Sequence, residues 1–280
     1  LSRPEGLSEE AYKLWFQNIR EVKPLYEQGF TAATNVIALP IMGLIGGLIR
    51  LKQDRTPLIN SLWLPLTLLC AAALAMLFWQ TRVGPVAQLL GIPGATALAW
   101  SVLLALRASR HVLIRTFGVI LAFLTISGLI TAVFPPLFPS TKSSPNQKLI
   151  SNAFSQCTAA SNLRTIGALP KAIIFTFVDL SPRLIAMTHH SAIAGPYHRN
   201  DDAIVDVHRA FSGTADEAHA LIKRHKATLL LLCPNMAEAT LNSARAPDGF
   251  YAQLKRGKIP AWLAPLPLPA KSPYLLWAVK

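Results

Sequence analysis

The chain has 280 residues and a formal net charge of +13; about half of it is hydrophobic (52%) and only 15% is charged. The apolar content is concentrated in the first half, which argues against one soluble domain and points to a membrane part followed by a separate globular one. The basic excess would suit a polyanion, but there is no CxxC pair and no basic stripe interleaved with aromatics, so no nucleic-acid partner is expected. In an apolar chain, basic residues also mark cytoplasmic loops and lipid headgroups.

Residues 1–30 lack the basic start, apolar stretch and small-residue cleavage site of a signal peptide. With Leu1 in place of Met, the sequence reads as a fragment or processed form. SEEAYKLWFQNIREVKPLYEQGF reads as an amphipathic helix with Ser8 as N-cap and Glu9 and Glu10 in its first turn. Leu14, Trp15, Ile19 and Val22 give it an apolar side expected to lie on the outer membrane surface. Four stretches then approach or exceed the roughly twenty residues that cross a hydrocarbon core. They are 31–49, 57–79, 83–106 and 111–134, a transmembrane domain over 31–134. Gly91, Pro93 and Gly94 predict a kink in the third, and Arg115 sits one turn inside the fourth, close enough to its end to snorkel.

Orientation follows from the loops. Arg50, Lys52 and Arg55 separate the first two spans, and Arg107, Arg110 and Arg115 flank the junction of the third and fourth, whereas the middle loop offers only Arg82. By the positive-inside rule the first and third loops are cytoplasmic, and both termini face outward. A Pro/Ser-rich linker, residues 135–147, ends the apolar half. Beyond it, 148–280 mixes helical and strand periodicities. A helix is predicted over 148–166, two strands over KAIIFTFVDL and SPRLIAMT, helices over 203–211, 215–226 and 248–256, and strands over ATLLLLC and YLLWAVK. The expected architecture is therefore about four transmembrane helices followed by a small α/β domain.

Cys70 falls within a span and reads as a small apolar residue. Cys157 lies on the first helix of the globular part and Cys233 ends the strand ATLLLLC. In an exported domain the two are free to oxidise, and closing a loop of about 75 residues would stabilise the domain by roughly 4–5 kcal/mol. The other reading is a pair of buried free thiols.

The Cys-containing helix, the phrase VDLSPRLIAMTHHSAIAGPYHRN, the later strand ending in Cys and the membrane phrase FWQTRVGPVAQLLGIPGATAL together resemble a group of bacterial inner-membrane proteins of the GT-C glycosyltransferase type. The likeness is to the C-terminal part of those proteins and covers most of this chain. It implies a multi-span enzyme of the bacterial inner membrane that takes a sugar from a polyprenyl-phosphate donor, with the globular domain in the periplasm and no cofactor. GT-C enzymes carry a catalytic Asp or Glu in the first outward loop. The only Asp in this N-terminal half, Asp54, falls in a loop read as cytoplasmic, and Glu21 precedes the first span. The expectation is thus a C-terminal part of such an enzyme, inactive by itself, with its catalytic residues absent. The alternative is a non-catalytic, membrane-anchored periplasmic module that binds an envelope glycan or protein partner.

HHSAIAGPYHRNDD, residues 189–202, is the densest polar stretch. A zinc site would need His189 or His190 to join His198, but adjacent histidines on a strand face opposite ways and further ligands are missing. Ser191 lacks the strained turn of an activated nucleophile. An anion clamp is better motivated: Arg199 offers a planar fork, His189, His190, Tyr197, His198 and Asn200 add donors, and a lipid-linked phosphate at the membrane surface is the natural ligand. Arg82 would join from the outward loop. In the competing reading the stretch is structural, with Asn200, Asp201 or Asp202 capping the next helix and Arg199 paired with Asp179 or Asp206.

Overall fold

The computed structural model describes residues 7–53, 56–133 and 145–280; for residues 58–60, 132 and 198 it describes the backbone alone. The chain forms two compact units, one from Gln17 through the apolar half and one that joins the segment ending at Phe16 to the globular half. Asp54, Arg55 and the expected linker up to residue 144 lie outside the described residues.

The N-terminal stretch is not one amphipathic helix. Ser8 caps α1 (Glu9–Leu14) by accepting from the Ala11 amide, as its position predicts, but the helix lasts six residues. Three separate 3-10 turns follow, at Phe16–Asn18, Arg20–Val22 and Leu25–Glu27. Leu7, Ala11, Trp15 and Phe16 are buried within the globular unit, so these apolar side chains are spent on protein rather than left for a lipid surface.

In the helical unit, α2 (Phe30–Gln53), α3 (Pro57–Leu77) and α4 (Gly84–Arg107) pack on one another. A five-residue π-helical turn, Ile114–Gly118, leads into α5 (Val119–Ile126) and the short α6 (Ile130–Val133). Two helical stretches among the described residues, Phe30–Gln53 and Thr81–Arg107, are long and apolar enough to cross a membrane; the apolar runs at 61–77 and 114–126 are shorter. Leu25, Cys70, Ala73, Leu74, Leu77 and Ala87 make the unit's buried cluster, and Cys70 indeed behaves as a small apolar residue.

Gly91 and Gly94, in the third of these runs, bring two helices into backbone contact. A Cβ on Gly94 would lie 1.9 Å from the Gly43 carbonyl oxygen, and one on Gly46 1.9 Å from that of Gly94. One on Gly43 would lie 2.3 Å from the Gly91 oxygen. Gly43, Gly46, Gly91 and Gly94 therefore form a mutual seam between α2 and α4, the small-residue packing that apolar helices use where lipid supplies no hydrophobic drive.

The globular unit contains a five-stranded sheet of order β2-β1-β3-β5-β4. Its strands are β1 (Ile173–Phe175), β2 (Ser191–Ala192), β3 (Leu229–Leu232), β4 (Leu263–Pro265) and β5 (Leu275–Val279). β1 pairs in parallel with β2 and β3, and β5 is antiparallel to both β3 and β4. All four leucines of β3 are buried, as its uninterrupted apolar run predicts for a strand covered on both faces. The helices are α7 (Pro145–Cys157), α8 (Ala160–Gly167), α9 (Ser181–Met187), α10 (Asp201–Ser212), α11 (Ala215–Arg224), α12 (Ala237–Arg245) and α13 (Phe250–Lys255). Phe175, Phe177, Phe211 and Tyr251 form an aromatic cluster with ring centroids 4.9–6.2 Å apart. Thr214 and Glu217 close a capping box on α11.

Two predicted elements come out differently, and three observed ones were not predicted. SPRLIAMT is the helix α9, not a strand: Pro182 sits in its first turn, where a missing N–H costs nothing, and buried Leu180, Ser181 and Leu184 follow helical spacing. The helix expected over 148–166 is divided into α7 and α8 at Thr158–Ala159. β2, β4 and α12 have no counterpart in the periodicity. The Cys157–Cys233 disulfide is formed, joining the end of α7 to the residue after β3. Gly94→Ala should lower stability by about 1–3 kcal/mol, the usual cost of overpacking, read as thermal unfolding of the helical unit in detergent. Gly84→Ala meets only the Val36 side chain, at 3.0 Å, and should cost less. Equal effects would argue against the seam.

Candidate functional site

β2, β1 and β3 run parallel, so the segments leaving their carboxyl ends emerge along one edge of the sheet, where open α/β sheets place their ligands. Three segments meet that description: Ile193–Asn200 after β2, Thr176–Asp179 after β1 and Cys233–Met236 after β3.

This topology divides the polar stretch that the sequence singles out. His189 and His190 precede β2, whereas Tyr197–Asn200 follow it. His190 is buried and takes a structural part: its Nδ1 accepts from the Ala172 amide at 3.2 Å and its Nε2 donates to the Ile166 carbonyl at 2.8 Å. It thereby ties the end of α8 to the start of β1 and cannot reach a ligand. His189 is exposed, with Nε2 3.0 Å from the Leu169 carbonyl. β2 thus separates both histidines from Tyr197, His198, Arg199 and Asn200.

At the carboxyl end of β2, Gly195 is buried under the Tyr197 ring; a Cβ there would lie 2.9 Å from Tyr197 Cε2. The Tyr197 amide donates to Gly195 O at 2.7 Å and the Asn200 amide to Tyr197 O at 2.8 Å, winding a tight turn into α10. Tyr197 and Arg199 are exposed on this turn, and Arg199 has no hydrogen bond or ion pair among the described residues. The His198 side chain lies outside the described residues. Asn200 stands at the N-cap of α10, but its side chain makes no capping bond. Asp201 instead accepts from the Ser8 amide at 3.1 Å.

The pairing proposed between Arg199 and Asp206 is not made. Asp206 is buried and held by Arg224 and by His225 Nε2, the latter at 2.7 Å. Those two partners belong to a basic run that reads, in sequence, as a solvated helix end. Arg82 belongs to the helical unit, where its guanidinium lies 3.9 Å from Glu21.

The residues that sequence reasoning missed surround β1's carboxyl end. Glu238, on α12, is fully buried and accepts from the backbone amides of Val178 and Asp179, both at 3.1 Å. Burial, with the neighbouring Asp179 charge adding to it, pushes its carboxyl up to about 8 despite those two bonds. Asp179 reaches solvent but has enough protein around it to be raised as well, by desolvation. On the inner side, His208 Nε2 lies 4.0 Å from Glu238 Oε1, and Nδ1 lies 3.5 Å from Asn242 Oδ1. Burial pulls His208 down to about 4, so it is neutral. Glu238 and Asn242 stand four residues apart on one side of α12; that spacing is the only trace of the cluster in the sequence. Chemically, it can hold a proton on a buried carboxyl next to a solvent-reached one. Among the described residues there is no group of three or more His, Cys, Asp or Glu placed to hold a metal ion.

Comparison of the sequence with models of protein families gives no match, and comparison with curated proteins gives none either.

The buried pair sets a pH dependence with a definite sign. Glu238 keeps its proton in the folded protein up to about pH 8, whereas the unfolded chain releases it near 4.5. Folding therefore takes up a proton across that window, and stability falls as pH rises through it. His208 acts oppositely: the stability it contributes is present above about 6.5 and is lost as pH falls toward 4. The melting temperature of the globular unit should decline between pH 6.5 and 8, equivalent to roughly 1–2 kcal/mol at about 1.4 kcal/mol per proton and pH unit. Asp179→Asn removes the neighbouring charge and should shrink that decline. A wild-type profile that stays flat over this range would contradict the account.

Proposed function

We propose that the chain is part of an integral membrane glycosyltransferase of the GT-C type that uses a polyprenyl-phosphate-linked sugar. In this reading the globular unit faces the periplasm of a bacterial inner membrane and shapes the acceptor side. The observation that carries the topology is that residues 7–16 fold into the same unit as residues 145–280. The chain between them must then cross a membrane an even number of times.

Contacts within the helical unit favour four passes over two. Thr81, between α3 and α4, donates through its amide and hydroxyl to the Lys23 carbonyl at 3.0 and 2.6 Å. The Gln88 amide near the start of α4 donates to Asn35 O near the start of α2, at 3.0 Å, and Thr131 Oγ1 lies 2.8 Å from Asn35 Oδ1. The segment before α2, the α3–α4 loop and the end of α6 thus meet at one end of the bundle. Arg50 and Lys52, at the end of α2, Arg107, at the end of α4, and Arg110 just beyond it belong to the other, in keeping with a cytoplasmic side. The disulfide in the globular unit supports an oxidising compartment.

The glycosyltransferase reading rests on the resemblance of the VDLSPRLIAMTHH–PYHRN phrase and on where its exposed part falls. Among the described residues Tyr197 and Arg199 are exposed without a hydrogen bond or ion pair, at the edge where parallel sheets place their ligands, which supports a contact with a lipid phosphate. Arg82, in the α3–α4 loop, is the second cation on the outward side. Among the described residues of the helical unit, the carboxylates are Glu21 and Glu27, which precede α2 rather than lie between helices. That feature favours the second reading, a membrane-anchored module that binds an envelope glycan or protein without catalysis.

Arg199→Ala should weaken retention of a polyprenyl-phosphate analogue about tenfold, the scale of one charge-assisted contact, while leaving the melting temperature unchanged. Equal retention by both proteins would remove the lipid-phosphate role and leave the anchored-module reading. Separately, a reporter enzyme active only outside the cytoplasm, fused after Lys280, should be active, and Cys157 and Cys233 should resist alkylation until reductant is added. A silent reporter would overturn the topology.

A further inference from the structure

A second site lies at the carboxyl end of β3, apart from the Arg199 turn. Here α7, the segment after β3, α12 and α13 enclose a cavity of about 220 Å³. Drug-sized ligands occupy pockets of about 300–1,000 Å³, so the occupant is smaller. Its polar lining is Asn146, Asn235, Thr240, Ser243, Tyr251 and Lys255; Leu149, Ile150 and Ala239 supply apolar wall. Among the described residues the lining offers amides, hydroxyls, a phenol and one ammonium, and no carboxylate.

Several of these groups are unspent. The Ser243 hydroxyl is buried without a hydrogen-bond partner among the described residues. The side chains of Asn146, Asn235 and Lys255 have none among the described residues. Asn235 also holds the left-handed conformation, with φ of 66°, which a non-glycine residue adopts at a cost and often where function requires it. Its backbone amide donates to the Tyr251 phenol oxygen, and burial pushes that phenol up to about 12, so its own proton stays in place.

The walls are tied together covalently. Asn146, Leu149 and Ile150 come from α7, Asn235 comes from the segment after β3, and the Cys157–Cys233 disulfide joins these two elements. The Tyr274 hydroxyl adds a bond to the Cys157 carbonyl at 2.6 Å. Cleaving the disulfide releases one wall from the other.

We propose that this cavity binds a single sugar residue bearing one anionic substituent. The neutral donors and acceptors match ring hydroxyls, the apolar wall matches a ring face, and Lys255 matches the carboxylate or phosphate. The choice of a sugar over another small polar anion rests on the glycosyltransferase reading above. The cavity itself does not.

The test is binding of glucuronate, glucose 6-phosphate and glucose to the full chain in detergent, followed by ligand-observed NMR and calorimetry. Both anionic sugars should bind, and glucose at least tenfold more weakly. Preference between carboxylate and phosphate identifies the substituent. Lys255→Gln should abolish the preference for anionic sugars. Ser243→Ala should weaken them severalfold while leaving the melting temperature unchanged or raised, because a buried unpaired hydroxyl is removed. Asn235→Gly keeps the backbone conformation, deletes the amide and should also weaken binding. Reductant should weaken binding in the wild type. No binding of any sugar at ten-millimolar concentration, or binding unchanged in Lys255→Gln and Ser243→Ala, overturns the proposal. Arg199→Ala should leave sugar binding intact, so loss of lipid-phosphate retention with sugar binding preserved separates failure of one reading from failure of the other.

Discussion

The docking of residues 7–16 onto α10 constrains everything else in this chain. Glu10 meets the Arg209 guanidinium in a two-pronged ion pair, with the Nε bond at 2.7 Å, and the Ser8 amide donates to Asp201. Arg245 reaches the Leu14 carbonyl at 3.1 Å. The exposed ion pair contributes little by itself. Burial of Leu7, Ala11, Trp15 and Phe16 contributes more, at about 1.5–3 kcal/mol for each large apolar side chain. The result is a globular unit assembled from segments on both sides of the apolar helices. Two of the intervening helical stretches, Phe30–Gln53 and Thr81–Arg107, are long and apolar enough to cross a membrane.

That point explains why the helical half was legible in outline but not in detail. The run at 83–106 matches α4 to within one residue at both ends, and the run at 31–49 matches the start of α2 to within one residue but stops four short of its end, because long apolar stretches can only close their backbone hydrogen bonds internally. The fourth run is interrupted: a π-helical turn contains Arg115, and Gly128, with φ of +77°, separates α5 from α6. Composition records hydrophobicity and not these breaks. The glycines of α4 were visible, yet their meaning was not, since a glycine that kinks and a glycine that admits a neighbouring backbone look identical in sequence. Only the partner at Gly43 and Gly46 distinguishes the two.

In the globular half, long or uniform signals were the readable ones. β3, β5, α10 and α11 carry enough period or apolar length to declare themselves, and the Cys157–Cys233 pair lies where the helix and strand ends had put it. SPRLIAMT misleads because its alternation is shorter than the stretch needed to separate a strand from a helix turn. β2 has two residues and exists by pairing with β1. The polar stretch at 189–202 misleads differently. Density along the chain is not density in space when a strand runs through the middle, and β2 leaves the histidines at its start and Tyr197 and Arg199 beyond its end.

The groups that do converge are scattered through the sequence and draw their character from burial. Glu238 is an ordinary helix glutamate until it is enclosed beside Asp179, when two backbone amides hold it in place without being enough to keep it charged. One turn further along the same helix, Ser243 and Thr240 face a different environment, the cavity whose other wall is α7. α12 therefore carries both a buried proton on one side and the lining of a small polar cavity on the other. Asn242 belongs to the first, with its amide nitrogen buried and without a partner among the described residues, and Ser243 belongs to the second. A helix with no signature in the hydropathy pattern is thus the element where the polar chemistry of the globular unit is concentrated. The Cys157–Cys233 disulfide joins two of the elements that line its cavity.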